Sequence, residues 1–149
     1  MEVKNLLFEA CQEFVQSKLN TIEQTIQSNK NALHSETKSS AGDKHETGRA
    51  MLQLEMEKAG QQLVEVQKMQ EQLSKIELDS DHNNVHLGSL VYTSSGTFFI
   101  AISKGQIKIG NEIYFAISSQ SPIGKLLMGK SENEEIEFRG QRTKILNIV

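Results

Sequence analysis

Apolar residues in the first half of this chain form two stripes that mirror each other across a short polar stretch. Val15, Leu19, Ile22, Ile26 and Leu33 precede it; Leu52, Met56, Ala59, Leu63, Val66 and Leu73 follow it. Both stripes step by three, four or seven residues, the spacing of a seam between two helices. Paired from the inside out, Leu33 goes with Leu52, Ile26 with Ala59, Ile22 with Leu63 and Leu19 with Val66, and every pair of numbers sums to 85. A constant sum is the arithmetic of an antiparallel hairpin, and it places the fold-back between Gly42 and Asp43. The tip of the hairpin is then the segment near 39–48, Ser39-Ser40-Ala41-Gly42-Asp43-Lys44-His45-Glu46-Thr47-Gly48.

Residues 3–33, free of Gly and Pro, read as the first helix, with Leu7, Cys11 and Phe14 extending its apolar face. About 31 residues at 1.5 Å each make an arm of roughly 45 Å. The second helix is expected from near Asp43–Thr47 to about Leu78, with Gly60 tolerated inside it at roughly 1 kcal/mol relative to Ala. A hydrophobic content of 37% and an aromatic content of 5% are low for a compact globule, and an elongated arm accounts for the deficit. Residues 1–80 thus read as a coiled-coil hairpin.

Asp79-Ser80-Asp81-His82-Asn83-Asn84 has no periodicity and reads as a linker, a solvated loop in preference to a metal site. From Val85 onward the pattern is that of strands. Leu87–Thr93 and Thr97–Ser103 flank Ser94-Ser95-Gly96, and Gln106–Ile109 and Glu112–Ser118 flank Gly110-Asn111; both read as hairpins. Ser121-Pro122-Ile123-Gly124-Lys125-Leu126-Leu127-Met128-Gly129 has Ser at the N-cap, Pro at the first helical position and a terminating Gly, which predicts a two-turn helix. Glu135–Arg139 and Thr143–Val149 pair around Gly140-Gln141. Residues 85–149 are therefore a small α+β domain of five or six strands and one helix. It is small for independent stability and is expected to pack on the base of the hairpin.

Charge divides unevenly: residues 1–80 hold 13 acids and 9 bases, residues 81–149 hold 6 and 7. Neither half is basic enough to bind free nucleic acid by neutralising phosphates. Cys11 is the single cysteine, on the apolar helix face with no His at catalytic spacing, so it reads as a small buried hydrophobe rather than a nucleophile. A lone cysteine, no apolar run near 18 residues and no charged-then-apolar leader together predict a cytoplasmic protein without a membrane span.

Two segments carry a resemblance. Gly42-Asp43-Lys44-His45-Glu46 matches a Gly-Asp-x-x-Glu tip motif, and Ser121-Pro122-Ile123-Gly124-Lys125-Leu126-Leu127-Met128-Gly129-Lys130 closely follows Ser-Pro-Ile-Gly-Arg-Ala-Leu-Ile-Gly-Lys. With the hairpin symmetry, the whole chain resembles the Gre family of bacterial transcript-cleavage factors. That resemblance implies an N-terminal antiparallel coiled coil with an acidic tip and a C-terminal domain of FK506-binding-protein-like fold. It also implies RNA polymerase as partner, with Ser121, Pro122, Ile123, Gly124 and Lys125 in the docking surface. The tip would enter the polymerase secondary channel and promote cleavage of backtracked RNA. Asp43 and Glu46 would there hold a Mg²⁺ jointly with the polymerase, and the protein, a monomer, would not be an enzyme by itself. Where the family commonly continues Asn-Ala-Glu-Tyr after the Glu, this chain has Thr47-Gly48-Arg49-Ala50.

Other readings of the same residues stand beside this one. Asp43-x-x-Glu46 is also a capping box, in which Asp43 accepts from a first-turn N–H and Glu46 reaches back to the cap. A module that binds the same channel without promoting cleavage has the same sequence requirements outside the tip. A peptidyl-prolyl isomerase would need an aromatic-lined pocket. Tyr92, Phe98, Phe99, Tyr114, Phe115 and Phe138 are the aromatics of the second half, most of which a small core consumes. His34 and His45 flank the tip without the ligand quartet that zinc requires.

Overall fold

The computed structural model describes residues 2–38 and 42–149, and for 36–38 and 42–45 the backbone alone. Two long helices lead: α1 (Glu2–Lys38) and α2 (Gly42–Ser74). Both differ from the expected bounds. α1 runs five residues past Leu33, because the polar residues there include no Gly or Pro to stop it. α2 stops at Ser74, four residues before Leu78, and Lys75 and Ile76 close it with i−3 bonds to Gln72 and Leu73. Gly42 and Asp43, expected at the fold-back, already belong to α2, while Ser39-Ser40-Ala41 lie outside the described residues.

Six strands and one helix follow: β1 (Leu90–Thr93), β2 (Gly96–Ala101), β3 (Gly105–Ile109), β4 (Glu112–Ser118), α3 (Pro122–Leu127), β5 (Glu135–Phe138) and β6 (Gln141–Ile148). The layout is α+β. The strands form one sheet in the order β3-β4-β2-β1-β6-β5, antiparallel except where β2 runs parallel to β4. The β5–β6 turn is Arg139-Gly140, one residue earlier than expected. Both have positive φ, 53° and 79°, as a two-residue type I′ hairpin requires, and the Gly supplies one of these at no steric cost.

By contacts the chain divides into two compact units, Met1–Phe14 with Gln70–Val149, and Val15–Met69. In the first, one face of the sheet forms a core of Val85, Val91, Ile100, Leu127, Ile136 and Ile145, with Ile123 of α3 packed against it. Leu7, Cys11 and Phe99 are fully buried, and the Lys104 ammonium lies over the Phe14 ring at 5.3 Å, so the start of α1 is covered in the same unit as the sheet. Burial pushes the Cys11 thiol up to about 11, with Lys104 opposing, so it stays protonated and inert at neutral pH.

The second unit is the two-helix arm. Val15, Ile22, Ala59 and Val66 are buried along its seam, and Leu19, Ile26, Leu33, Leu52 and Leu63 are half-buried. Every residue paired by the constant sum thus lies on the covered face. A groove of about 250 Å³ brings Thr25 to Glu55, Lys58, Ala59 and Gln62, the level at which that sum places Gly60 opposite Thr25. Asn29, also buried, was not foreseen in the seam. Among the described residues, no helix is long and apolar enough to cross a membrane.

Candidate functional site

Asp43 is the second residue of α2 and Glu46 the fifth, one helical turn apart at the start of the helix. Three residues apart on a helix, two side chains leave from the same side. Glu46 is exposed to solvent, whereas the side chain of Asp43 lies outside the described residues. Since α2 opens at Gly42, the backbone of Asp43 sits within the turn rather than ahead of it, where a capping box would place it. Arg49, exposed, follows Glu46 by three residues and is its neighbour on the helix surface. Carboxylate oxygens suit a hard cation such as Mg²⁺, which takes one or two carboxylates from a protein and completes its shell elsewhere. Among the described residues there is no group of three His, Cys, Asp or Glu side chains able to hold a metal ion.

The second candidate segment is α3, and its residues divide by role. Ser121 caps the helix: its Oγ accepts from Gly124 N–H at 3.1 Å and donates to Ser118 O at 2.6 Å. Pro122 occupies the first turn, where its missing N–H costs nothing. Gly124 is buried against the preceding strand, and a Cβ there would stand 2.0 Å from Ser118 O. Ile123 is half-buried on the core and Leu127 fully buried. Of the five residues expected to bind a partner, Pro122 and Lys125 are exposed, and the other three serve chiefly to build the helix. Leu126 and Met128, each 37% exposed, join that outer face and were not singled out by sequence. The signal was present: Pro122 and Leu126 are four apart, on the side away from Ile123 and Leu127.

A polar cluster in the first unit also escaped the sequence reading. Lys4 is only 2% exposed and donates to Leu78 O at 3.3 Å. Burial lowers its pKa, with the Asp79 charge opposing. The His86 ring lies between two hydroxyls, Nε2 at 3.3 Å from Ser80 Oγ and Nδ1 at 2.7 Å from Ser89 Oγ, and Nδ1 also meets Asn84 O at 3.1 Å. His82 packs edge-on against it at 4.1 Å. Burial lowers the pKa of His86; the Asn84 carbonyl raises it, and His82 and Lys4 add to the lowering. The segment expected to be a solvated linker therefore makes specific bonds at its end, and Asn84 bridges Ser131.

No protein-family model and no curated protein matches the sequence.

Proposed function

We propose that this protein is a transcription elongation factor that docks on RNA polymerase, inserts the end of its helical arm into the secondary channel and stimulates cleavage of backtracked RNA. The observation that carries this reading is the placement of Asp43 and Glu46 among the first five residues of the second helix of a two-helix arm. The part of α1 within the arm, residues 15–38, extends about 36 Å. A two-helix arm with that reach suits a narrow channel leading to a buried catalytic centre. The resemblance of the Gly42–Glu46 and Ser121–Lys130 segments to the Gre family supports the same assignment.

The residues have separate tasks in this mechanism. Asp43 and Glu46 would be the residues that hold a Mg²⁺ jointly with the polymerase, whose own groups would complete its shell. Such an ion would lower the pKa of a water and offset charge on a leaving oxygen. The arm would supply position, bringing the pair to the polymerase centre, which is where most of the gain from proximity arises. Pro122, Lys125, Leu126 and Met128 form the exposed face that meets the polymerase. Incubation with a backtracked elongation complex tests the reading directly. Shortened RNA is expected, and intact RNA at saturating protein would contradict it.

One observation favours a second reading, a channel-binding regulator that does not promote cleavage. Arg49 follows Glu46 by three residues, the spacing at which helix side chains are neighbours, and would offset the charge that a cation requires. In that case, the protein would inhibit elongation or displace other channel ligands while leaving RNA length unchanged.

A further inference from the structure

The seam of the arm changes character at one position. Within Val15–Met69, its inner part buries Val15, Ile22, Ala59 and Val66, all apolar. In the outer part, residues 27–35 of α1 and 46–58 of α2, Asn29 is the one buried residue among those described. Leu33, Leu52 and Met56 are half-buried there. Asn29 continues the seven-residue step of Val15 and Ile22, is 7% exposed, and its Nδ2 has no hydrogen-bond partner.

A polar residue in a coiled-coil seam fixes pairing when it meets a polar counterpart, and costs stability. Here the cost is present without the bond. A buried amide left unpaired forfeits its hydration, a bias worth roughly ten- to hundred-fold in an equilibrium constant. Opening the helices at that level returns water to the amide and exposes only side chains that are already half wet.

We propose that the outer arm, residues 27–35 with 46–58, opens as a local unit ahead of the inner arm, with the Asn29 layer at its inner end. Cooperative segments of a native protein open at different free energies, and those with few buried apolar contacts open first. The end of the arm that carries Glu46 can then re-pack on a partner that offers the Asn29 amide an acceptor. This behaviour belongs to the free chain and holds whatever the arm engages.

Hydrogen exchange read by mass spectrometry on the full-length protein tests it. Amides of 27–35 and 46–58 are expected to exchange at least about tenfold faster than those of 15–26 and 59–69. Asn29→Leu should slow the outer amides about tenfold and leave the inner ones unchanged, while Asn29→Asp, which buries a charge, should speed them. Uniform protection along the arm of the parent protein would overturn the proposal without reference to any variant. An Asn29→Leu protein whose outer amides exchange at the parental rate or faster would overturn it equally.

Discussion

Gly124 leaves no room for a side chain. A Cβ would stand 2.0 Å from the carbonyl oxygen of Ser118, and backbone atoms cannot step aside as the end of a flexible side chain can. Gly124→Ala must displace the start of α3 or the end of β4, at about 1–3 kcal/mol, the usual cost of overpacking. Urea denaturation checks this, and a midpoint equal to the parent's would show that the turn relaxes freely. His86 carries a pH dependence. Its folded pKa is below the ordinary value of 6.5, chiefly through burial, so the folded state prefers the neutral ring. Stability from this group is complete above the unfolded pKa and is lost as pH falls through 6.5 towards the folded value. The melting temperature of the parent should therefore drop more between pH 7.5 and 5 than that of His86→Asn. Parallel pH profiles would remove His86 from the account. Neither residue's role was legible beforehand: both depend on close approaches within irregular turns, which leave no periodic pattern in the sequence.

Elements proved more readable than residues, because they rest on periodicity and turn chemistry. The seam stripe, the Gly110-Asn111 hairpin and the Ser121-Pro122 helix start each have a local cause, and each is present. Helix ends were read less well. No residue near Leu33 stops α1, and the close of α2 at Ser74 carries no Gly or Pro. The polar members of the covered surface, Lys4 and Asn29, were missed because a pattern of apolar residues says nothing about polar ones that share their face. The seam has a direct test. Ile22→Ala should cost about 2–4 kcal/mol by cavity formation, while Gln24→Ala, exposed on the same helix, should stay within about 0.5 kcal/mol of the parent. Equal thermal unfolding of the two variants would mean that Ile22 does not pack across the arm.

At the scale of the whole molecule, the chain divides so that both ends of the hairpin, Met1–Phe14 and the residues from Gln70, belong with the sheet. Val15–Met69 forms a compact unit of its own. Replacing Val15–Met69 by a short Gly/Ser bridge should leave the unit that holds the sheet folded. On the proposed function, the armless protein should compete with the full chain for RNA polymerase and support no cleavage. Failure to compete at high concentration would move the docking surface onto the arm. The α+β class and the order of elements were legible because the change from period 3.6 to period 2 is abrupt at Val85. That the base of the hairpin belongs with the sheet was expected from the small size of the C-terminal domain; that the base extends to Phe14 was not, since it depends on contacts more than sixty residues apart in sequence.

The central claim is that the charge at the arm tip, delivered by a helical arm, is what the polymerase uses. Asp43→Asn tests it most directly, because Asn keeps the size and shape of Asp while removing the charge that a Mg²⁺ needs. Cleavage of backtracked RNA should be measured at saturating protein and fixed Mg²⁺, with polymerase binding and thermal unfolding followed in parallel. Cleavage is expected to fall by roughly a hundredfold or more, as for loss of a group acting on the reacting centre, with binding and stability unchanged. An Asp43→Asn protein that shortens RNA at the parental rate would contradict the account.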